Sequence, residues 1–289
     1  MGGIAEALAA HGLVLFGGFV FLSGEDAPAG PAGRPARSAL LVSQAGAEAW
    51  PHFLAWRDAQ AKVPADPLDQ WSRAVIGEIA GQFGASAVSP SDRPFLPFQR
   101  WALRAEGLKP SPLGILMHPL FGLWHAFRGA LLFDTELPVA EPPARVHPCD
   151  ACVEKPCLKA CPVGAHTAAG FQHGACLAHV LGAAGKACRT AGCLDRNACP
   201  VASEHRYPPD MQAFLMSAFS GDRTGQLAGE CADGLAGSPP LWERWAAAKG
   251  GAQSVDDRDF KDASGEKAGG TATSLPYQAS PPQSPQGGD

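Results

Sequence analysis

No lysine or arginine precedes Arg34, whereas Glu6 stands in the opening segment. An export leader needs basic residues ahead of its apolar stretch, so LVLFGGFVFL, Leu13 to Leu22, is read as a buried strand. At ten residues the run is also too short to cross a bilayer. An excess of positive charge is missing too. The formal net charge is -5, which argues against nonspecific nucleic-acid binding as the main task, though not against a specific RNA partner. Strands and helices do not alternate regularly around a glycine fingerprint, so a dinucleotide-binding fold is unsupported. These absences leave a soluble, cytoplasmic protein with no membrane partner as the expectation. With 289 residues, 46% of them hydrophobic, the chain can bury a core and hold two domains.

Cysteine is concentrated. Eight of nine fall between Cys149 and Cys199. The first run, CDACVEKPCLKACP, spaces Cys149, Cys152, Cys157 and Cys161 by two, four and three residues, and Pro162 follows. The second comprises Cys176, Cys188, Cys193 and Cys199, followed by Pro200. Closely spaced cysteines followed by a cysteine before proline form the iron-sulfur arrangement, in which the last cysteine serves the other cluster of a pair. By analogy with two-cluster ferredoxins, we assign Cys149, Cys152, Cys157 and Cys199 to one [4Fe-4S] cluster and Cys161, Cys176, Cys188 and Cys193 to the other. Gly164, Ala165, Gly185 and Gly192 would admit backbone N-H groups to the sulfurs. Lys155, Lys159, Lys186, Arg189 and Arg196 would offset cluster charge. Structural zinc prefers two separated knuckles, and a disulfide framework needs an oxidising compartment, so neither fits as well. His147, His166, His173 and His179 are expected at the surface or in packing, since eight thiolates already complete two sites. Cys231 stands apart as a free thiol.

The rest reads as an α+β chain. A helix over Ile4 to Ala10 leads into the first strand, and SALLVS, Ser38 to Ser43, reads as a second. Helical spacing covers Trp50 to Ala61. Pro67 to Phe83 forms the clearest helix, with Asp66 as its cap and Leu68, Trp71, Val75, Ile79 and Phe83 as its apolar stripe. Ser89 to Pro97 is a proline-rich loop, Gln99 to Glu106 a short helix, and Leu113 to Met117 and Ala126 to Phe133 are strands. Domain boundaries are expected at 1–140 for an α+β domain, 141–148 for a proline-rich linker, 149–205 for a ferredoxin-type module, 206–249 for a helical extension with helices at Met211 to Phe219 and Leu241 to Ala248, and 250–289 for a disordered tail.

In cysteine order and in the stretch ALRAEGLKPSPLGILMHPLFGLWHAFRGALLFDTELP, Ala102 to Pro138, the chain resembles the epoxyqueuosine reductase and reductive dehalogenase family. HPLFGLWHAFRG, His118 to Gly129, is also similar to a segment of the cobalamin-decyanating chaperone of that superfamily. The resemblance spans about residues 10 to 200. It implies a nitroreductase-like, corrinoid-binding α+β domain followed by a ferredoxin-like module with two [4Fe-4S] clusters, which relay electrons to the cobalt of cobalamin. His118, Trp124, His125 and Arg128 would line the corrin, and Asp92 lies near the place of the family's general acid. Asp92 reads more readily as a turn former in SPSDRP. The longer spacings Cys152 to Cys157, Cys188 to Cys193 and Cys193 to Cys199 depart from the family pattern, and the KPC of the first is similar to electron-transfer subunits of molybdenum oxidoreductases. No helical-repeat domain follows the cysteines, which weakens the expectation of tRNA as substrate.

Three functions follow. The first is a corrinoid-dependent reductase acting on a small molecule or modified nucleoside and fed by a flavodoxin or ferredoxin reductase system. The second is a ferredoxin-like carrier whose upstream domain only docks. The third is a cobalamin reductase or chaperone.

Overall fold

The computed structural model describes residues 2–142, 146–167 and 169–221. Cys231, the expected helix at Leu241 to Ala248 and the expected tail lie outside them. The described residues all belong to one compact unit. Their architecture is mixed α and β, as the periodicities imply.

Helix α1 (Gly2–Ala9) runs into strand β1 (Leu13–Val20), followed by β2 (Ser38–Ala45), α2 (Ala49–Asp58), α3 (Pro67–Gln82), β3 (Ser86–Val88) and α4 (Phe98–Glu106). A two-residue hairpin, β4 (Lys109–Pro110) and β5 (Leu116–Met117), precedes β6 (His125–Phe133). β1, β2, β6 and β3 form an antiparallel sheet in that order. Strand side chains alternate between faces, and both faces of β2 are covered, so it is buried along its whole length. Leu40 and Val42 join a core with Leu8, Phe53, Trp71 and Ile76 from α1, α2 and α3, while Ala39 and Leu41 join Phe16, Phe19, Trp101 and Ala102 on the α4 side.

Two bulges shape this sheet. In β1 the register slips between Phe16 and Gly18, leaving Gly17 at φ 48°. A Cβ there would stand 2.6 Å from the Ala105 carbonyl oxygen, so glycine permits both the left-handed turn and the close approach of α4. In β6 the slip falls between Phe127 and Gly129 and leaves Arg128 without a ladder partner.

Several expectations need correction. Asp66 precedes α3 in a left-handed conformation, whereas capping by a side chain uses extended backbone, and its carboxylate makes no cap bond. Its carbonyl instead accepts from the N-H groups of Asp69 and Gln70. The apolar stripe of α3 is buried through Ile79 and Ala80, but Phe83 lies beyond the helix and is partly exposed. Of the expected strand Leu113 to Met117, only Leu116 and Met117 pair, because Ser111 to Gly114 makes a tight turn. The three-residue β3 was not foreseen.

Among the described residues beyond β6 are five short α-helices: α5 (Pro148–Ala151), α6 (His173–Leu181), α7 (Lys186–Ala191), α8 (Leu194–Asn197) and α9 (Pro209–Ser220). α9 packs back on the body, as its amphipathic pattern implied. Phe214 meets Trp50 and Phe53 at ring-centroid distances of 5.4 and 5.3 Å, and Trp50 Nε1 donates to Asp210 Oδ2 at 2.7 Å. Among the described residues no helix is long and apolar enough to cross a membrane.

Candidate metal centre

Pro148 starts α5, and His147 caps it: its Nδ1 accepts from the Cys149 N-H. Lys155, at φ 45°, turns the chain into a 3-10 turn over Pro156–Leu158 that carries Cys157, and its ammonium donates to the Cys149 carbonyl. Ala165 N-H approaches Cys161 Sγ at 3.4 Å, the backbone-to-sulfur contact that a small residue was expected to admit. Cys176 lies on α6, Cys188 on α7, Cys193 immediately before α8, and Cys199 just after it. Gly192, at φ 84°, abuts Gln212, which exchanges hydrogen bonds with Asn197 and so holds the second run against α9.

All eight thiols are free of disulfides, and Cys157, Cys188 and Cys199 are buried. Burial pushes Cys149 up to about 11. Lys155 opposes the shift, and Cys199, Cys157 and Cys152 add to it. Burial likewise raises Cys157, with Cys199 and Cys152 reinforcing. Cys176 also rises to about 11, through burial and then through Cys193, Cys161 and Cys188. For Cys188 and Cys193, burial is again the main cause, and Cys161 is the thiolate that adds to it. These mutual repulsions fall within two sets: Cys149, Cys152, Cys157 and Cys199, and Cys161, Cys176, Cys188 and Cys193. Among the described residues, no three His, Cys, Asp or Glu side chains converge as a single bound ion requires. Eight free thiols fit two [4Fe-4S] clusters in donor type and count, since each cluster takes one thiolate at each of four irons. A bound cluster would also supply the positive charge needed to hold thiolates at neutral pH.

The first set abuts the β4–β5 hairpin and the chain leading into β6. Cys157 and Cys199, with Cys149 alongside, pack against Leu113, Met117 and Leu123. Gly122, at φ 54°, lies so near that a Cβ would stand 2.5 Å from the Val201 carbonyl oxygen. Arg196 reaches across to donate to the Leu123 carbonyl, and its guanidinium carbon stands 4.7 Å from the ring centres of both Trp124 and Tyr207. Arg189 donates to the carbonyls of Val180 and Gly182. Three of the five expected charge partners, Lys155, Arg189 and Arg196, therefore also tie down backbone.

Sequence reasoning missed Asp195. It is 1% exposed; Oδ1 accepts from Ala160 N-H at 3.1 Å and Oδ2 from His166 Nδ1 at 2.7 Å. In CLDRNAC an acidic residue reads as solvated, and only the fold brings Ala160 and His166 to it.

The proposed corrin-lining residues do not converge on one cleft. His118 is buried: Nδ1 accepts from the N-H groups of Leu120 and Phe121, and its ring stacks on Phe16 at 4.6 Å. His125, 5% exposed, lies on the same side of the sheet and pairs through Nε2 with the Leu116 carbonyl at 3.0 Å. Trp124 is wholly buried and faces Arg196 and Tyr207 instead. Arg128, at the bulge, points toward Asp69 on α3, with 3.7 Å between Nη1 and Oδ1. Asp92 folds back on its own loop. Oδ1 accepts from Arg73 Nε at 3.1 Å and Oδ2 from Ser89 N-H at 2.6 Å.

Burial of His125 sets an acid limit on stability. Desolvation is the main cause that takes its pKa from 6.5 to about 4; the Leu116 hydrogen bond opposes this and the charge of Arg196 adds to it. Between those values the unfolded chain binds a proton that the folded one does not, so stability falls as pH drops from about 6.5 toward 4. From pH 7 to pH 5 the loss should be about 2 kcal/mol. Denaturant midpoints at the two pH values should separate in the wild type and draw together in His125→Gln.

Fold and site together define a mixed α and β protein in which Cys149, Cys157 and Cys199 of the cysteine-rich stretch pack against Leu113, Met117 and Leu123. No family model matches the chain, and no curated protein matches it. Among solved structures it is similar to an epoxyqueuosine reductase bound to an epoxyqueuosine-modified tRNA-Tyr stem loop, at 15% identity and a TM-score of 0.42, over 73% of this chain and 69% of that one. It is similar to the epoxyqueuosine reductase of Bacillus subtilis at 15% identity and a TM-score of 0.41, over 72% and 67% of the two chains. It is also similar to a C. elegans B12-trafficking protein, CblC, at 12% identity and a TM-score of 0.41, over 88% and 97%.

Proposed function

We propose that the chain is an iron-sulfur redox protein with two [4Fe-4S] clusters, serving a corrinoid-dependent reduction in the domain built on the sheet. The observation that carries the redox half is the pair of cysteine runs within 51 residues, each ending in a cysteine followed by proline. Contact of Cys157 and Cys199 with Leu113, Met117 and Leu123 supports a functional connection between the centre and that domain. Bound clusters supply single-electron transfer and a bound corrinoid supplies redox-active cobalt. The corrinoid half rests on the sequence resemblance of Ala102 to Pro138. On this reading His118, Trp124, His125 and Arg128 support the corrin region, Asp92 has no assigned proton, and the donor is a flavodoxin or ferredoxin reductase system. The substrate class is a small molecule or modified nucleoside.

One observation favours a second reading, a ferredoxin-like carrier: His118, Trp124 and His125 are all packed inside, as plain core residues are. Anaerobic purification followed by iron, sulfide and cobalt analysis, with EPR after reduction and after adding cobalamin, separates the two. About eight iron per chain with stoichiometric cobalamin uptake supports the corrinoid reading. Eight iron without uptake leaves the carrier, and zinc in place of iron from iron-replete cells overturns both.

A further inference from the structure

We propose that Asp195 is a positioning residue shared by the two thiol sets, and that its carboxylate holds the reduction potentials of both clusters down together. The inference rests on the two-cluster reading above. Asp195 lies on α8 between Cys193 and Cys199, one thiol from each set. Its Oδ1 holds the Ala160 N-H, in the loop between Cys157 and Cys161, which again belong to different sets. Its Oδ2 holds His166, whose side chain is itself nearly buried, on the segment joining the two cysteine runs. One carboxylate thereby fixes three stretches of chain on which the crossed ligand assignment depends. Its carboxylate thus stands beside the turn that carries Cys157 and Cys161 and on the helix flanked by Cys193 and Cys199, next to thiols of both sets.

A buried carboxylate is costly to desolvate and carries only two hydrogen bonds here, so packing alone is a poor reason to place one between two metal centres. Negative charge at that place opposes the arrival of an electron at either cluster, because little solvent intervenes to screen it.

Asp195→Asn keeps the size and one acceptor oxygen for Ala160 and removes the charge. Redox titration of the anaerobic full-length protein, followed by EPR, should show both midpoints less negative than in the wild type, with iron and sulfide unchanged. Unmoved midpoints, or a shift in one cluster alone, overturn the inference while leaving the two-cluster reading intact. A wild-type protein without iron overturns that reading and this inference together. Should Asp195→Asn assemble no clusters, Asp195→Glu decides. Iron retained by the Glu variant supports the role of charge, and loss from both variants overturns it in favour of shape alone.

Discussion

Replacing Cys161 and Cys193 together by alanine should lower bound iron from about eight to about four atoms per chain, whereas replacing Cys161 and Cys157 together should damage both clusters. The two double variants remove equal numbers of thiols, and these outcomes are expected only where the ligand sets cross between the runs, as proposed. If each run served its own cluster, the results would reverse: Cys157 and Cys161 would share one cluster, and Cys161 and Cys193 would belong to two. The crossed outcome has a physical basis. Burial raises Cys176, and the thiolates that add to the shift include Cys161 from the other run. Cys157 in turn packs with Cys199 against Leu113 and Leu123. A proline after Cys161 and another after Cys199 turn the chain away from its own run, which lets each of these thiols reach the neighbouring set. Pairs are preferred to single replacements because a cluster short of one ligand can keep part of its iron, while one short of two has little to hold it. Iron and acid-labile sulfide assays, with spin counts of each EPR signal, give the answer.

What was legible in the sequence was local. The short continuous apolar run of SALLVS and the 3.6-residue spacing of Leu68, Trp71, Val75 and Ile79 are set by neighbours in the chain, and β2 and α3 form where those patterns stand. The cysteine spacings are local as well, and they mark out the eight thiols, all of which are free of disulfides. β3 escaped because three residues are too few for a period to register. The cap expected of Asp66 failed because residue type alone does not fix the left-handed backbone there. The Asp195 contacts with Ala160 and His166, and the placing of Arg196 on Trp124 and Tyr207, join residues far apart in sequence, and no spacing rule reports such partners. For the same reason HPLFGLWHAFRG could be recognised as a special stretch without any sign that Trp124 and His125 would point to opposite sides of the sheet.

Trp124→Ala should cost about 3–5 kcal/mol, a third or more of the stability of an ordinary domain. The indole is completely buried, joins the core with Leu8, Phe53 and Trp71, and meets Tyr207 at 5.4 Å. Arg196 covers it at 4.7 Å and Arg206 stands at 5.8 Å. Truncation therefore opens a cavity, and it also leaves the Arg196 guanidinium, whose Nε already lacks a partner among the described residues, without the aromatic face that compensates its burial. Trp124→Phe should cost much less, since a ring remains and the buried indole N-H, which has no acceptor among the described residues, is removed. Because Arg196 lies between Cys193 and Cys199, the defect should pass to the thiol centre. Anaerobic denaturation followed both by far-ultraviolet circular dichroism and by the visible absorbance of the clusters should show the two signals shifting together in Trp124→Ala. A shift of the dichroism alone would mean that the centre stands by its own loops. A joint shift would mean that sheet and centre fold as one body, with Trp124 as the residue through which each stabilises the other.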